Sequence, residues 1–183
     1  MNRPVVDNVP DRLARHVRDT VQTTLPYYLS TPPGAAMISL RKFQSTDADR
    51  VHQLLNDKEV SRYLTSRVKF PYSLEDATWW VEEGSHHHPT WAIEADQQVI
   101  GCIGIVPGEF EQSHTAEIGY WIGKLHWGKG YASLALQKAT TYTFNDWAIT
   151  RLTAGVFHPN IASMQVLKHC GYTLEGVFEM AYY

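Results

Sequence analysis

A chain of 183 residues, 44% hydrophobic and 19% charged, is sized for one globular domain with a substantial core. Its net charge of -3 gives no general attraction to nucleic acid or anionic membranes, and no apolar run is long enough to span a bilayer. The opening MNRPVVDNVPDRLARHVRDT is broken by charges and lacks the apolar core of a secretory signal. Two cysteines, Cys102 and Cys170, make a poor disulfide framework, so a reduced cytoplasmic setting is expected, with both thiols acting as small buried hydrophobes.

Residues 1–36 read as an N-terminal extension or arm. Arg12 to Thr24 suggests a short helix, and Pro26, Pro32, Pro33 and Gly34 punctuate the stretch after it. The regular domain, residues 37–183, opens with a strand carrying Ile38, Leu40 and Phe43. Thr46 or Asp47 then caps a helix with Ala48, Val51, Leu54 and Leu55 at helical spacing. A second helical piece covers Lys58 to Leu64. A third begins at Ser73, with Asp76 completing an acidic capping box, and ends near Gly84. TWAIEA and QQVIGCIGIV are two strands joined by a hairpin at Asp96-Gln97-Gln98. Thr115 to Ile122 is another strand, and residues 123–130 are a glycine-punctuated loop. A long helix runs from Tyr131 to Trp147, burying Leu136, Ala139, Thr143 and Trp147. RLTAGVF is a strand broken by His158-Pro159; Asn160 opens a shorter helix, Gly171 ends it, and YTLEGVF is the last strand. The class is α/β with a mixed sheet.

The segment EIGYWIGKLHWGKGYASLAL carries the strongest local signal. Helix N-termini present unpaired N–H groups and a positive dipole end, and Gly128 and Gly130 let the backbone curl closely around an anion, with Lys129 adding charge. A tight turn before a helix accounts for the same residues. The loop lacks the Gly-Lys-Ser/Thr ending of a Walker loop and the full GxGxxG of a dinucleotide fold. Further on, HPNIASMQVLKHCGY sets Asn160 and Ser163 one helical turn apart, followed by Gly171-Tyr172.

Together, in this order, the two segments resemble the GCN5-related N-acetyltransferase (GNAT) superfamily. They are especially similar to its branch acting on ribosomal-protein N-termini, polyamines and related amines. The resemblance spans Met37 to Tyr183. It implies a mostly antiparallel mixed sheet with splayed parallel central strands and flanking helices, and acetyl-CoA as co-substrate with no metal. On this resemblance, backbone groups of Tyr120, Trp121 and Ile122 bind the pantetheine arm and acetyl carbonyl. The pyrophosphate rests on amides of Trp127, Gly128, Lys129, Gly130, Tyr131 and Ala132, and Asn160 faces the pantetheine. The superfamily's Gln or Arg three residues before the first loop glycine is Leu125 here, which leaves the work to backbone amides. The tyrosine that members often carry on the final helix is Leu167, so Ser163 becomes the candidate for stabilising the leaving thiolate.

Glu117 is the candidate base for the amine, acting directly or through water; alternatively it anchors the substrate ammonium. Asn160 and Ser163 have an equally simple reading as helix-capping residues. Consecutive His86, His87 and His88 do not converge on one ion and read as a solvated loop. Of Trp79 and Trp80 on the third helix, one is expected in the core and the other, as the resemblance implies, at the border of the acceptor site, with Tyr63 and Phe70 as further candidates to line it. The resemblance also leads one to expect a further strand after Tyr183; its place is expected to be filled by a second copy, giving a homodimer, or by the N-terminal arm. The expected activity is acetyl transfer to a primary amine at a peptide or protein N-terminus. The alternatives are a small amine (polyamine, amino acid or aminoglycoside) and a silent acetyl-CoA-binding module.

Overall fold

The computed structural model describes residues 18–23 and 37–179. Its elements in chain order are β1 (Arg18–Thr23), β2 (Ser39–Arg41), α1 (Ala48–Leu55), α2 (Lys58–Ser61), α3 (Leu74–Glu82), β3 (Thr90–Ala95) and β4 (Gln98–Pro107). Then come β5 (Thr115–Ile122), α4 (Tyr131–Asp146), β6 (Arg151–Phe157), α5 (Ile161–His169) and β7 (Thr173–Val177). The strands form one sheet in the order β2-β3-β4-β5-β6-β1-β7. All neighbours are antiparallel except β5 and β6. The expected α/β class with a central parallel pair holds.

Side-chain alternation along β4, its phase reset by a bulge at Ile100 opposite Ile93 and Glu94, lets one sheet support two cores. Val99 and Cys102 join Val51, Leu54, Ala77 and Val81 under α1 and α3. Ile100, Ile103 and Ile105 point the other way, into a cluster with Ile118, Leu136, Leu152 and Leu167 under α4 and α5. The β3–β4 hairpin turns at Asp96 and Gln97, both with positive φ (50° and 60°), the backbone that a two-residue turn between twisted strands requires. Ser73 caps α3 as expected: its hydroxyl accepts from the Asp76 amide at 3.0 Å.

Two expectations are corrected. Asp47 does not use its carboxylate to cap α1. It accepts from the Gln44 amide at 2.8 Å and from both ends of the Arg41 guanidinium, at 2.7 and 2.9 Å. Burial works to raise this carboxyl, but Arg41 and the Gln44 amide outweigh it and hold it below the usual carboxylate range. The second correction concerns the helix expected over Arg12–Thr24. Residues 18–23 are a strand, hydrogen-bonded to β6 over Arg18–Thr23 and to β7 over Asp19–Gln22. The remainder of that expected helix lies outside the described residues. Residues 18–23 thus sit between β6 and β7 in the sheet.

Candidate functional site

β5 and β6 pair only at their beginnings, Thr115–Glu117 with Arg151–Thr153. Beyond that point β5 stays with β4 as far as Ile122, while β6 stays with β1 as far as Phe157. The two strands therefore part, and a V-shaped opening divides the sheet from Ile118 and Ala154 onward.

Which backbone groups face the opening follows from the phase of the β4–β5 ladder. Gly108 N–H donates to the Thr115 carbonyl and Gly123 N–H to the Ile100 carbonyl, at 2.9 and 2.8 Å. In an antiparallel ladder, residues two apart along a strand share a direction. Glu117, Gly119 and Trp121 therefore pair with β4, and Ile118, Tyr120 and Ile122 turn N–H and C=O toward the gap. The Thr153 hydroxyl reaching the Ala116 carbonyl at 3.3 Å fits the same phase. Of the three backbone positions expected at the coenzyme, Tyr120 and Ile122 face the opening and Trp121 does not. The Trp121 carbonyl lies against Gly101, where any Cβ would collide with it, and its ring packs on the core under α1 and α3. The Ile122 carbonyl already accepts from the Trp127 indole N–H at 2.6 Å, which leaves its amide for a ligand.

At the wide end of the V, β5 passes through a short 3₁₀ turn, Lys124–His126, and the glycine loop into α4. Gly128 and Gly130 have φ of 71° and 78°, and a Cβ built on either would meet nothing within 4 Å. The backbone demands glycine while the space in front stays open. The first bond of the following helix runs from Leu134 N–H to Gly130 C=O at 3.1 Å. The amides of Tyr131, Ala132 and Ser133 precede it and have no intrahelical acceptor. Lys129 is exposed in the loop, Trp127 is 47% exposed, and Leu125 points to solvent at 80% exposure.

Sequence reasoning missed one neighbour of this loop. Arg50 of α1 donates to the Val99 carbonyl at 2.9 Å and to His126 Nε2 at 3.2 Å. Burial, then Arg50 and Lys129, lower the His126 pKa, which favours the neutral ring that this donation requires.

On the α5 side, Asn160 caps the helix: its side-chain oxygen accepts from the Ser163 amide at 3.2 Å. The Ser163 hydroxyl lies 3.0 Å from the Tyr120 hydroxyl. Leu167, 1% exposed, is core. Tyr63 reaches from beyond α2 to donate to the Pro159 carbonyl at 3.2 Å, beside Asn160. Trp80 packs on the core under α1 and α3, whereas Trp79 and Phe70 are exposed.

Glu117 lies on the other face of β5. It lines a depression of about 460 Å³ with Gln112, His114, Thr115, Arg151 and Thr153. Arg151 is paired with Glu175 of β7 across the intervening β1. Glu117 and the Tyr120–Ser163 pair therefore lie on opposite faces of β5. The cysteines are poor nucleophiles: burial pushes Cys102 up to about 12 and Cys170 up to about 11. Among the described residues, no His, Cys, Asp and Glu side chains gather as a metal site, and no helix is long and apolar enough to cross a membrane.

Comparison with known proteins agrees with this geometry. Residues 38–173 match the acetyltransferase (GNAT) domain. The uncharacterized N-acetyltransferase p20 of Bacillus licheniformis is 32% identical over 145 residues, covering 76% of this chain and 81% of that protein. The spermidine N(1)-acetyltransferase of Vibrio cholerae is 25% identical over 149 residues, covering 77% and 82%. In fold, the chain is similar to RimL, a ribosomal L7/L12 alpha-N-protein acetyltransferase solved with coenzyme A. The TM-score is 0.69 at 22% identity, over 84% of this chain and 89% of that one. An opened sheet, a glycine loop feeding a helix and these matches lead to one conclusion: the chain belongs to the GNAT family and is an acetyl-CoA-dependent N-acetyltransferase.

Proposed function

We propose that the chain acetylates the α-amine of a peptide or protein N-terminus, in the cytoplasm, with the coenzyme held in the opening between β5 and β6. The opening fits a pantetheine diphosphate on two counts. The amide edge of Tyr120 and Ile122 faces the gap, and the first-turn amides of α4 stand behind two positive-φ glycines with clear space in front. Trp127, Gly128, Lys129, Gly130, Tyr131 and Ala132 form the cradle in this reading, and Asn160 borders the pantetheine.

When bound, acetyl-CoA supplies an activated thioester carbonyl, which an amine attacks directly. Backbone N–H groups on the gap-facing edge of β5 are fixed donors for charge developing on the carbonyl oxygen. Glu117 receives the ammonium proton from the open face, directly or through water. Ser163, on the opposite face, donates a hydrogen bond to the departing sulfur. The separation of the two residues across β5 gives the amine and the leaving group different sides of the sheet.

One observation carries the choice of acceptor. Among the described residues lining the depression, Glu117 is the one carboxylate, and it is accompanied by Arg151, Gln112, His114 and Thr153. A polyamine or an aminoglycoside presents several cations, for which repeated carboxylates are the complement. A peptide presents one ammonium followed by amide groups, which hydroxyl, amide and guanidinium side chains can meet. Similarity to the spermidine enzyme supports the second reading, a small polyamine. Thiol release from acetyl-CoA, measured against short peptides with free N-termini, spermidine, amino acids and an aminoglycoside, distinguishes the two. Peptides are expected to exceed spermidine in kcat/KM by at least about tenfold, the equivalent of one well-placed polar contact. Preference for spermidine would establish the second reading. Tight CoA binding with no thiol release across the panel would make the chain a silent module.

A further inference from the structure

We propose that the Tyr120 hydroxyl is a positioning residue for acetyl transfer, holding the Ser163 hydroxyl so that its proton points into the opening. This rests on the reading of Ser163 as the donor to the departing sulfur.

Tyr120 and Ser163 are 43 residues apart in sequence and stand on the two arms of the V. Tyr120 belongs to β5, and Ser163 to the first turn of the helix that follows β6. The phenol crosses between the arms, with its oxygen 3.0 Å from Ser163 Oγ and 3.4 Å from the Ser163 carbonyl. The Ser163 amide is fixed separately by Asn160. What remains free at Ser163 is rotation of its side chain and hydroxyl. A serine hydroxyl has one proton and two acceptor positions. The phenol has one proton for two acceptors on Ser163; given to the nearer, Oγ at 3.0 Å rather than the carbonyl at 3.4 Å, it forces the serine proton to turn elsewhere, toward the opening.

The phenol suits a fixed donor. Its ring packs against the core under α4 and α5, and burial, opposed by the Ser163 bond, pushes its pKa up to about 12. It therefore keeps its proton throughout the reaction. The balance of the step leaves Tyr120 unchanged. The C–N bond forms, the C–S bond breaks, sulfur takes the electron pair, and the amine proton leaves toward Glu117 or water. Tyr120 contributes only the orientation of the group facing the sulfur.

Tyr120→Phe keeps the ring and removes this single donor. Turnover is expected to fall roughly tenfold, the equivalent of one net hydrogen bond, with KM for acetyl-CoA little changed. A crystal structure of the uncomplexed variant is expected to show the Ser163 side chain in a different or mixed rotamer, with the ring in place. The double variant Tyr120→Phe/Ser163→Ala should be no slower than Ser163→Ala alone, because a residue acting through another adds nothing once that other is gone. Ser163→Ala with full turnover would overturn the underlying reading of Ser163. Slowed Ser163→Ala beside fully active Tyr120→Phe would overturn the positioning role alone, as would multiplicative losses in the double variant or an unmoved Ser163 rotamer.

Discussion

Glu117→Gln is expected to lower kcat with a peptide substrate by about 10²–10⁴-fold, the usual worth of a positioned general base. Affinity for CoA should remain unchanged. Glutamine keeps the shape and hydrogen-bonding reach of the side chain but cannot take up the ammonium proton. Glu117 lines the open depression, on the face of β5 away from α4, and its backbone pairs with β4 rather than facing the gap. Its loss therefore removes nothing from the coenzyme cradle. Steady-state kinetics with calorimetric CoA titration separate the possible roles. A simple anchor for the ammonium would raise the KM of the amine and leave kcat near its original value. The pH dependence offers a second check. A peptide α-amine titrates near pH ~8, so above that pH solvent has already removed the proton that Glu117 would accept. The gap between variant and wild type should narrow as pH rises through that value; a gap constant to pH ~9 would point away from proton acceptance.

The second large effect concerns the N-terminal strand. Val21→Pro is expected to destabilise the fold by about 3 kcal/mol, lowering Tm by roughly 6–12 °C for a domain of this size. Position 21 is paired with Ala154 of β6 on one side and Leu174 of β7 on the other. Proline removes the backbone donor from a strand that has neighbours on both edges. The damage should spread to β7, whose only sheet partner among the described residues is β1. Thermal unfolding followed by circular dichroism reads the effect. An unchanged Tm would mean that the segment contributes no sheet stability. A wild-type Tm that rises with protein concentration would mean that a second copy supplies the strand.

Much of the fold was legible because local chemistry and the global arrangement agree. Alternating apolar residues gave β3 through β6, and Asp96-Gln97 is short and polar enough for the hairpin it makes. Gly128, Gly130 and Gly171, read as turn and helix-end glycines, all have positive φ. Ser73 and Asn160 cap the helices they were expected to cap. The failures arise where distant residues decide. Arg18–Thr23 has no strong preference of its own, and it is a strand because a gap between β6 and β7 supplies partners on both edges. Asp47 looks like a cap, yet Arg41 claims its carboxylate.

The candidate site divides along the same line. Side-chain alternation placed Glu117 and Tyr120 on opposite faces of one strand. It said nothing about which edge each peptide group faces, so Trp121 was grouped with Tyr120 and Ile122. That edge depends on the ladder phase with β4, set by pairing residues far back in the chain. The contacts of Arg50 with His126 and of Tyr120 with Ser163 span 76 and 43 residues, and no local spacing announces them.

A crystal structure of the protein with CoA tests the central claim most directly. The diphosphate is expected on the amides between Trp127 and Ser133, and the pantetheine in the V beside Tyr120 and Ile122, with the sulfur toward Ser163. Coenzyme bound elsewhere, or an opening closed by β5–β6 pairing beyond Glu117, would contradict it.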